Sequence, residues 1–292
     1  MPEQETGMAA QGSAGASASA ATGMLEVRVA AETDKGRKRA NNEDRLLVFD
    51  LKRQRELSAV KTEVVVLRPR GVLLVVADGM GGMSAGETAS QMTVENFLTS
   101  YLDRSEPPPS GIVTNDDRRN ALVEAVRDTN SLVYARASAE RGLKGMGTTL
   151  TAALIEGDHM FVAQVGDSRA YLLREGELKQ LTRDQTLLAS LAEKGNLPAG
   201  GGAQWKNMLL QAVGAQPDVQ VAMTETLLTA GDRLMLCSDG LHGPVDNDEI
   251  LDAMKQDTKP EERAKALVAK ANENGGPDNI SVVICDVHAV ES

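Results

Sequence analysis

Three strand-length apolar runs follow one another in TTLTAALIEGD, HMFVAQVGDS and RAYLLREGELKQLT, with no room for a helix between them. EGD and REGE put turn residues at hairpin positions. Apolar runs joined by such short turns pair antiparallel, because parallel neighbours need a crossover of a dozen or more residues. The other strand-type runs are LEVRVAAET, DRLLVFDL, GVLLVVAD, DVQVAMTETLLT, DRLMLCSDG and ISVVICDVHAV. Helical patterns arrive in pairs between groups of strands. GETASQMTVENFLTSYL precedes RRNALVEAVRDTNSLVYARASAERG, whose apolar residues include Leu122, Val126, Leu132 and Val133. DNDEILDAMKQ, with Asp246 as its N-cap, precedes KPEERAKALVAKANENG. DQTLLASLAEKG reads as a further helix. Grouped strands and paired helices predict an α+β layered sandwich of mostly antiparallel sheets with helices packed outside, and disfavour a doubly wound parallel fold.

Aromatic residues make up only 2% of the 292 positions, so the core must come from Val, Leu, Ala, Ile and Met. The net charge of −11 argues against a nucleic-acid partner or an anionic membrane surface. Cys237 and Cys285 lie inside apolar runs without a CxxC spacing, which reads as two buried thiols in a reducing compartment. No membrane-length apolar segment and no signal-peptide pattern is visible, so the expected location is cytoplasmic. Residues 1–24, rich in Ala, Gly and Ser, read as a disordered N-terminal tail. A single domain is expected over 25–290, with 52–70 as a surface insertion or mobile excursion.

Carboxylates recur at strand ends. Asp78 closes the run VVAD and is followed by glycines in 79-GMGGMSAG-86. Asp239 follows LMLCS and precedes Gly240, while Asp278 sits in GGPDN just before the last strand. Glu43 and Asp44 lie in NNED just before RLLVFD. Carboxylates sharing a cleft raise one another's pKa unless a cation compensates, and hard divalent ions want oxygen ligands of this kind. Asp78 therefore reads as a metal ligand, with Gly79 keeping the backbone close enough for its carbonyl to bind too. Taken singly, Asp-Gly is a turn, NNED a solvated loop and GPDN a β-turn. Spacing alone leaves open whether the four segments meet.

The ordered set GRKRANNED, VVADGMGG, GMGTTLTAALI, VAQVGDSRAYLLREGELKQLTRDQT, DRLMLCSDGL and GGPDNISVVI closely resembles the metal-dependent type 2C protein phosphatase family in its bacterial serine/threonine form. The resemblance spans roughly residues 25–290. It implies a central antiparallel β-sandwich flanked on both sides by paired α-helices, in α-β-β-α layers, with the site at one end. It implies two Mn²⁺ or Mg²⁺ ions: Asp78 bridging, Gly79 offering its carbonyl, Asp239 and Asp278 on the first ion, Glu43 and Asp44 acting directly or through water. Arg39 matches the family's phosphate-binding arginine, and Asn279 the asparagine beside the last Asp. Asp167 and Arg169 in GDSR match a supporting motif. The implied reaction is hydrolysis of phosphoserine and phosphothreonine in proteins by a metal-bridged hydroxide. The implied partners are phosphorylated proteins and a cognate Ser/Thr kinase, acted on by a monomer. The rival reading is a pseudophosphatase, a regulatory binding module without turnover.

Several positions depart from the family pattern. Lys144 and Gly243 stand where many relatives carry acids of a third, weaker metal site, so a third ion is expected to be weak or absent. Gln211, in the flap region at about 184–215, replaces a frequent Arg. Met80 stands where some relatives have a histidine, and His242 reads as a surface residue rather than a substitute acid.

Overall fold

The computed structural model describes residues 24–58, 61–81, 85–107, 110–196, 205 and 208–290. Nearly all of the expected tail, and 197–204 and 206–207 of the flap region, lie outside the described residues. The chain opens with strands β1 (Leu25–Asp34), β2 (Asp44–Asp50), β3 (Arg55–Glu56), β4 (Glu63–Val66) and β5 (Val72–Met80). Helices α1 (Ala85–Arg104) and α2 (Asn115–Ala139) follow. Next come β6 (Gly147–Thr148), β7 (Leu150–Glu156), β8 (His159–Val165), β9 (Arg169–Arg174) and β10 (Glu177–Gln180). Helix α3 (Leu187–Glu193), β11 (Ala222–Leu227) and β12 (Arg233–Cys237) precede α4 (Asp239–His242), α5 (Asn247–Lys255), α6 (Pro260–Glu273) and β13 (Ile280–Ala289).

The strands form two sheets, β10-β9-β12-β13-β1-β4 and β11-β8-β7-β5-β2-β3, with β6 pairing the end of β5. Every strand pairing in them is antiparallel. The expected α-β-β-α layering is what the chain forms. Alternation along β5 shows how. Leu73, Val75 and Ala77 join the core beneath α1 and α2, while Val72, Leu74 and Val76 join the core between the sheets. In β13, Val282 and Ile284 face α5 and α6, while Val283 and Cys285 face the other sheet. Burial on both faces explains why these strands read as unbroken apolar runs. Cys237 and Cys285 are both buried free thiols.

Three expectations need correction. Segment 52–70 is no simple surface excursion: β3 pairs with β2 and β4 with β1, so it closes one edge of each sheet. Leu57, Val65 and Leu67 anchor it in the inter-sheet core. Leu132 is 51% exposed, because the buried stripe of α2 runs through Leu122, Val126, Asn130, Val133 and Ala137. Its neighbour Val133 points inward, about 100° away on the helix. His242 is partly buried, with Nε2 3.1 Å from the Asp167 carbonyl oxygen. Asp246 caps α5 as expected, within a capping box closed by Glu249.

Candidate metal centre

The inter-sheet core ends in a polar cleft. Asp44 starts β2 and Asp78 lies near the end of β5, directly opposite one another in the antiparallel register. Both continue the alternation that sends Val48, Leu74 and Val76 between the sheets. The other sheet contributes Asp239, just past β12, and Asp278, two residues before β13. Arg39, Glu43, Asp78, Gly79, Met80, Asp167, Leu209, Asp239 and Asp278 line a cleft of about 200 Å³. A roomier cavity of about 660 Å³ lies near the start of β5, beside Arg70 and Tyr101, at the opposite pole. Chemistry rather than size singles out the smaller one.

The backbone around the acids is fixed from several directions. The Asp78 N–H donates to Thr149 Oγ1 at 2.9 Å, and its carbonyl accepts from Thr148 Oγ1 at 2.8 Å and from the Thr149 N–H at 2.9 Å. A Cβ on Gly79 would lie 2.1 Å from the Gly86 carbonyl oxygen and 2.7 Å from that of Glu43. Only glycine lets the start of α1 and the 43–44 segment close on β5. A Cβ on Gly240 would lie 1.8 Å from the Asn279 carbonyl oxygen, so the Asp239 and Asp278 segments are in backbone contact. Asn279 donates Nδ2 to the carbonyls of Lys35 and Asn41, both at 2.8 Å, and accepts the Glu43 N–H at 2.8 Å. It brackets the whole 35–43 loop onto the root of β13.

Electrostatics mark the same place. Burial drives the Asp44 carboxyl up to about 7, against hydrogen bonds from Ser281 and Ser238 that hold it down. Ser238 Oγ donates to Asp44 Oδ2 at 2.8 Å, while buried Asp44 Oδ1 has no hydrogen-bond partner among the described residues. Burial and then the neighbouring Asp44 and Asp239 charges push Asp78 well above the carboxylate range. Asp167 rises to about 7 through burial and the Asp239 charge, and burial raises Glu43. Arg39 donates to Asp278 Oδ2 at 2.6 Å, a contact that strengthens its hold on its proton. Among the described residues no three Asp, Glu, His or Cys side chains are already closed into a coordination cage. Mg²⁺-like ions keep several waters and use few carboxylates, so an open cleft of acids suits them.

Every sequence-predicted acid of the pair site reaches this end of the sandwich. Lys144 does not line the cleft and is exposed on a turn. Gly243 is also exposed and outside the lining. Asp167 does line it, and Arg169 buttresses the same turn through a two-pronged pair with Asp184 at 2.8 and 2.7 Å. Ser238, Ser281, Thr148 and Thr149 escaped sequence reasoning as positioning residues, although Ser238 stands directly before Asp239 and the threonines in MGTT.

Residues 61–273 match the family model described as Protein phosphatase 2C. The chain belongs to the protein phosphatase 2C family. Among phosphatase 2C relatives, it is 34% identical over 256 residues to "Serine/threonine phosphatase stp" of Listeria welshimeri, covering 87% of this chain and 93% of that one. It is 38% identical over 264 residues to "Serine/threonine protein phosphatase PstP" of Mycobacterium tuberculosis. That alignment takes in 90% of this chain but only 45% of PstP, so the chain spans less than half the length of that relative. The crystal structure of the catalytic domain of PstP "in complex with 2 Manganese ions" is similar at a TM-score of 0.70 and 36% identity, over 90% of this chain and 99% of that one.

Proposed function

We propose that this protein hydrolyses phosphoserine and phosphothreonine in proteins, using divalent cations held by Glu43, Asp44, Asp78, the Gly79 carbonyl, Asp239 and Asp278. The observation that carries the reading is the pairing of two carboxylates, Asp44 and Asp78, face to face at the mouth of a buried space. Like charges directly opposite are destabilising, and a buried oxygen without a partner asks for one. Asp44 Oδ1 is such an oxygen. Among the described residues the cleft lining carries no histidine and no thiol, which favours hard, oxygen-loving ions such as Mn²⁺ and Mg²⁺. Two ions are taken by analogy with the PstP catalytic domain. A third is left out because Lys144 and Gly243 supply no carboxylate.

When bound, such cations supply Lewis acidity that brings the pKa of water toward neutral. The chain's own residues do the rest. Arg39, held at the cleft by Asp278, offers a forked, permanently charged donor set that fits a phosphate dianion. Asn279 keeps the 35–43 loop in place, and Asp167 lines the cleft as a supporting acid. The partners are phosphorylated proteins and the Ser/Thr kinase that makes them, met by a monomer in the cytoplasm. Residues 25–290 act as one phosphatase domain, with 1–24 as its tail and about 184–215 as its flap. No described helix is long and apolar enough to cross a membrane.

Glu43, Asp78, Asp239 and Asp278 in the cleft lining, Asp44 paired with Asp78 behind them, and the phosphatase names of relatives at 34–38% identity favour turnover over a pseudophosphatase. Release of phosphate from a phosphothreonine peptide with Mn²⁺, with Mg²⁺ and with chelator tests this. No release with metal still bound in calorimetry favours the binding module.

A further inference from the structure

A basic rim borders the acidic cleft. Residues 35-KGRKR-39 hold four cations in five positions, in a chain whose net charge is −11. Their backbone is pinned. The Gly36 N–H donates to Asp34 Oδ1 at 2.8 Å, and the Arg37 and Lys38 N–H groups donate to the Gly276 carbonyl at 2.8 and 3.2 Å. A Cβ on Gly36 would lie 2.0 Å from the Asp278 carbonyl oxygen, and one on Gly276 would lie 2.8 Å from Arg37 Cγ. The stem of Arg37 therefore rests on the turn that carries Asp278.

The side chains of Arg37 and Lys38 are exposed on this fixed backbone. Arg39 pairs with Asp278, but Arg37 and Lys38 take part in no ion pair among the described residues. Other arginines of the chain are commonly paired: Arg104 with Asp128, Arg169 with Asp184, Arg174 with Asp232. A chain with this acidic surplus needs no added cations for solubility. Two cations with no ion-pair partner among the described residues therefore stand on a pinned backbone next to Arg39 in the chain.

We propose that Arg37 and Lys38 select the substrate, favouring phosphoserine or phosphothreonine segments that carry Asp or Glu within two residues of the phosphorylated one. This rests on the phosphatase reading and names the substrate class of that same site. Two residues of extended chain span at most about 7 Å. With the phosphate on Arg39, an acidic side chain one or two positions along the substrate is within this reach of the 37–38 segment. The acidic surface as a whole repels such a peptide, but beyond about 10 Å that field is screened at 0.1 M salt, and the nearby cations dominate.

The test compares two phosphothreonine peptides differing only in Glu or Gln at the flanking positions, using the full chain with Mn²⁺. p-Nitrophenyl phosphate serves as a substrate without flanks. The Glu peptide is expected to show about three- to tenfold higher kcat/KM, carried by KM and reduced at high salt. Arg37→Gln with Lys38→Gln is expected to erase that preference and leave p-nitrophenyl phosphate turnover unchanged. Should the double variant lose that turnover too, Lys38→Gln alone replaces it, with a reduced preference expected. Equal rates for both peptides, or a preference that survives the substitutions, overturns the proposal. Failure to hydrolyse any of the three substrates overturns the phosphatase reading beneath it.

Discussion

Asp44 and Asp78 stand directly opposite one another on neighbouring antiparallel strands, both facing the space between the sheets. Nothing in sheet packing rewards that arrangement. Cross-strand partners have Cβ atoms about 5 Å apart, and like charges there repel. The repulsion is relieved either by protons or by a cation bound between or beside the two acids, so the two compete for the same place.

Its first consequence is a pH dependence. Burial raises Asp78 well above its ordinary value and takes Asp44 from an ordinary 3.8 to about 7. Between those limits the cation-free fold holds protons that the unfolded chain releases. This contribution to stability is full at acid pH and is lost as pH rises through about 7. Cations displace the same protons, so they bind more tightly as pH rises. Thermal melts at pH 5 and pH 8 should show a larger stabilisation by Mn²⁺ at pH 8, and Asp44→Asn should reduce the difference.

Asn279→Ala removes three hydrogen bonds that hold the 35–43 loop. Loss of such outer supports costs about 10- to 100-fold in metal affinity in metal sites generally. The Mn²⁺ concentration for half-maximal activity should rise by that order, and a titration of activity against Mn²⁺ checks it.

Gly240→Ala places a methyl group 1.8 Å from the Asn279 carbonyl oxygen, against backbone that cannot yield without moving Asp278. A destabilisation of about 1–3 kcal/mol is expected, as for other overpacked sites. Urea unfolding measures it. Mn²⁺ binding should weaken in the same variant, because the Asp239 and Asp278 segments are pushed apart.

The expected ion count rests on the likeness to the PstP catalytic domain and on the lack of a carboxylate at Lys144 and Gly243. Lys144 is exposed away from the cleft, and a Cβ on Gly243 would lie 2.7 Å from the Asp239 carbonyl oxygen. Calorimetric titration with Mn²⁺ should give two ions per chain. A third ion of comparable affinity would contradict the account of those two positions.

Much of this was legible in the sequence for a physical reason. Strands buried on both faces, such as β5 and β13, announce themselves as continuous apolar runs, and acids that end such runs stand out. What stayed hidden depends on contacts between distant segments. The two-residue β3 and the four-residue β4 are too short to show a period, and their partners lie in different sheets. Leu132 sits at plausible helical spacing, yet Val133 beside it takes the core. His242 looks like a surface residue until the Asp167 turn, 75 residues earlier, is folded against it. The supporting roles of Ser238 and Thr149 are likewise defined only by what lies across the cleft.

The most direct test of the central claim is Asp78→Asn, followed by calorimetry with Mn²⁺ and by phosphate release from a phosphothreonine peptide. The substitution keeps the size of the side chain and removes one charge. The account predicts weakened Mn²⁺ binding together with a loss of several orders of magnitude in turnover. Near-normal turnover with unchanged Mn²⁺ binding would contradict it.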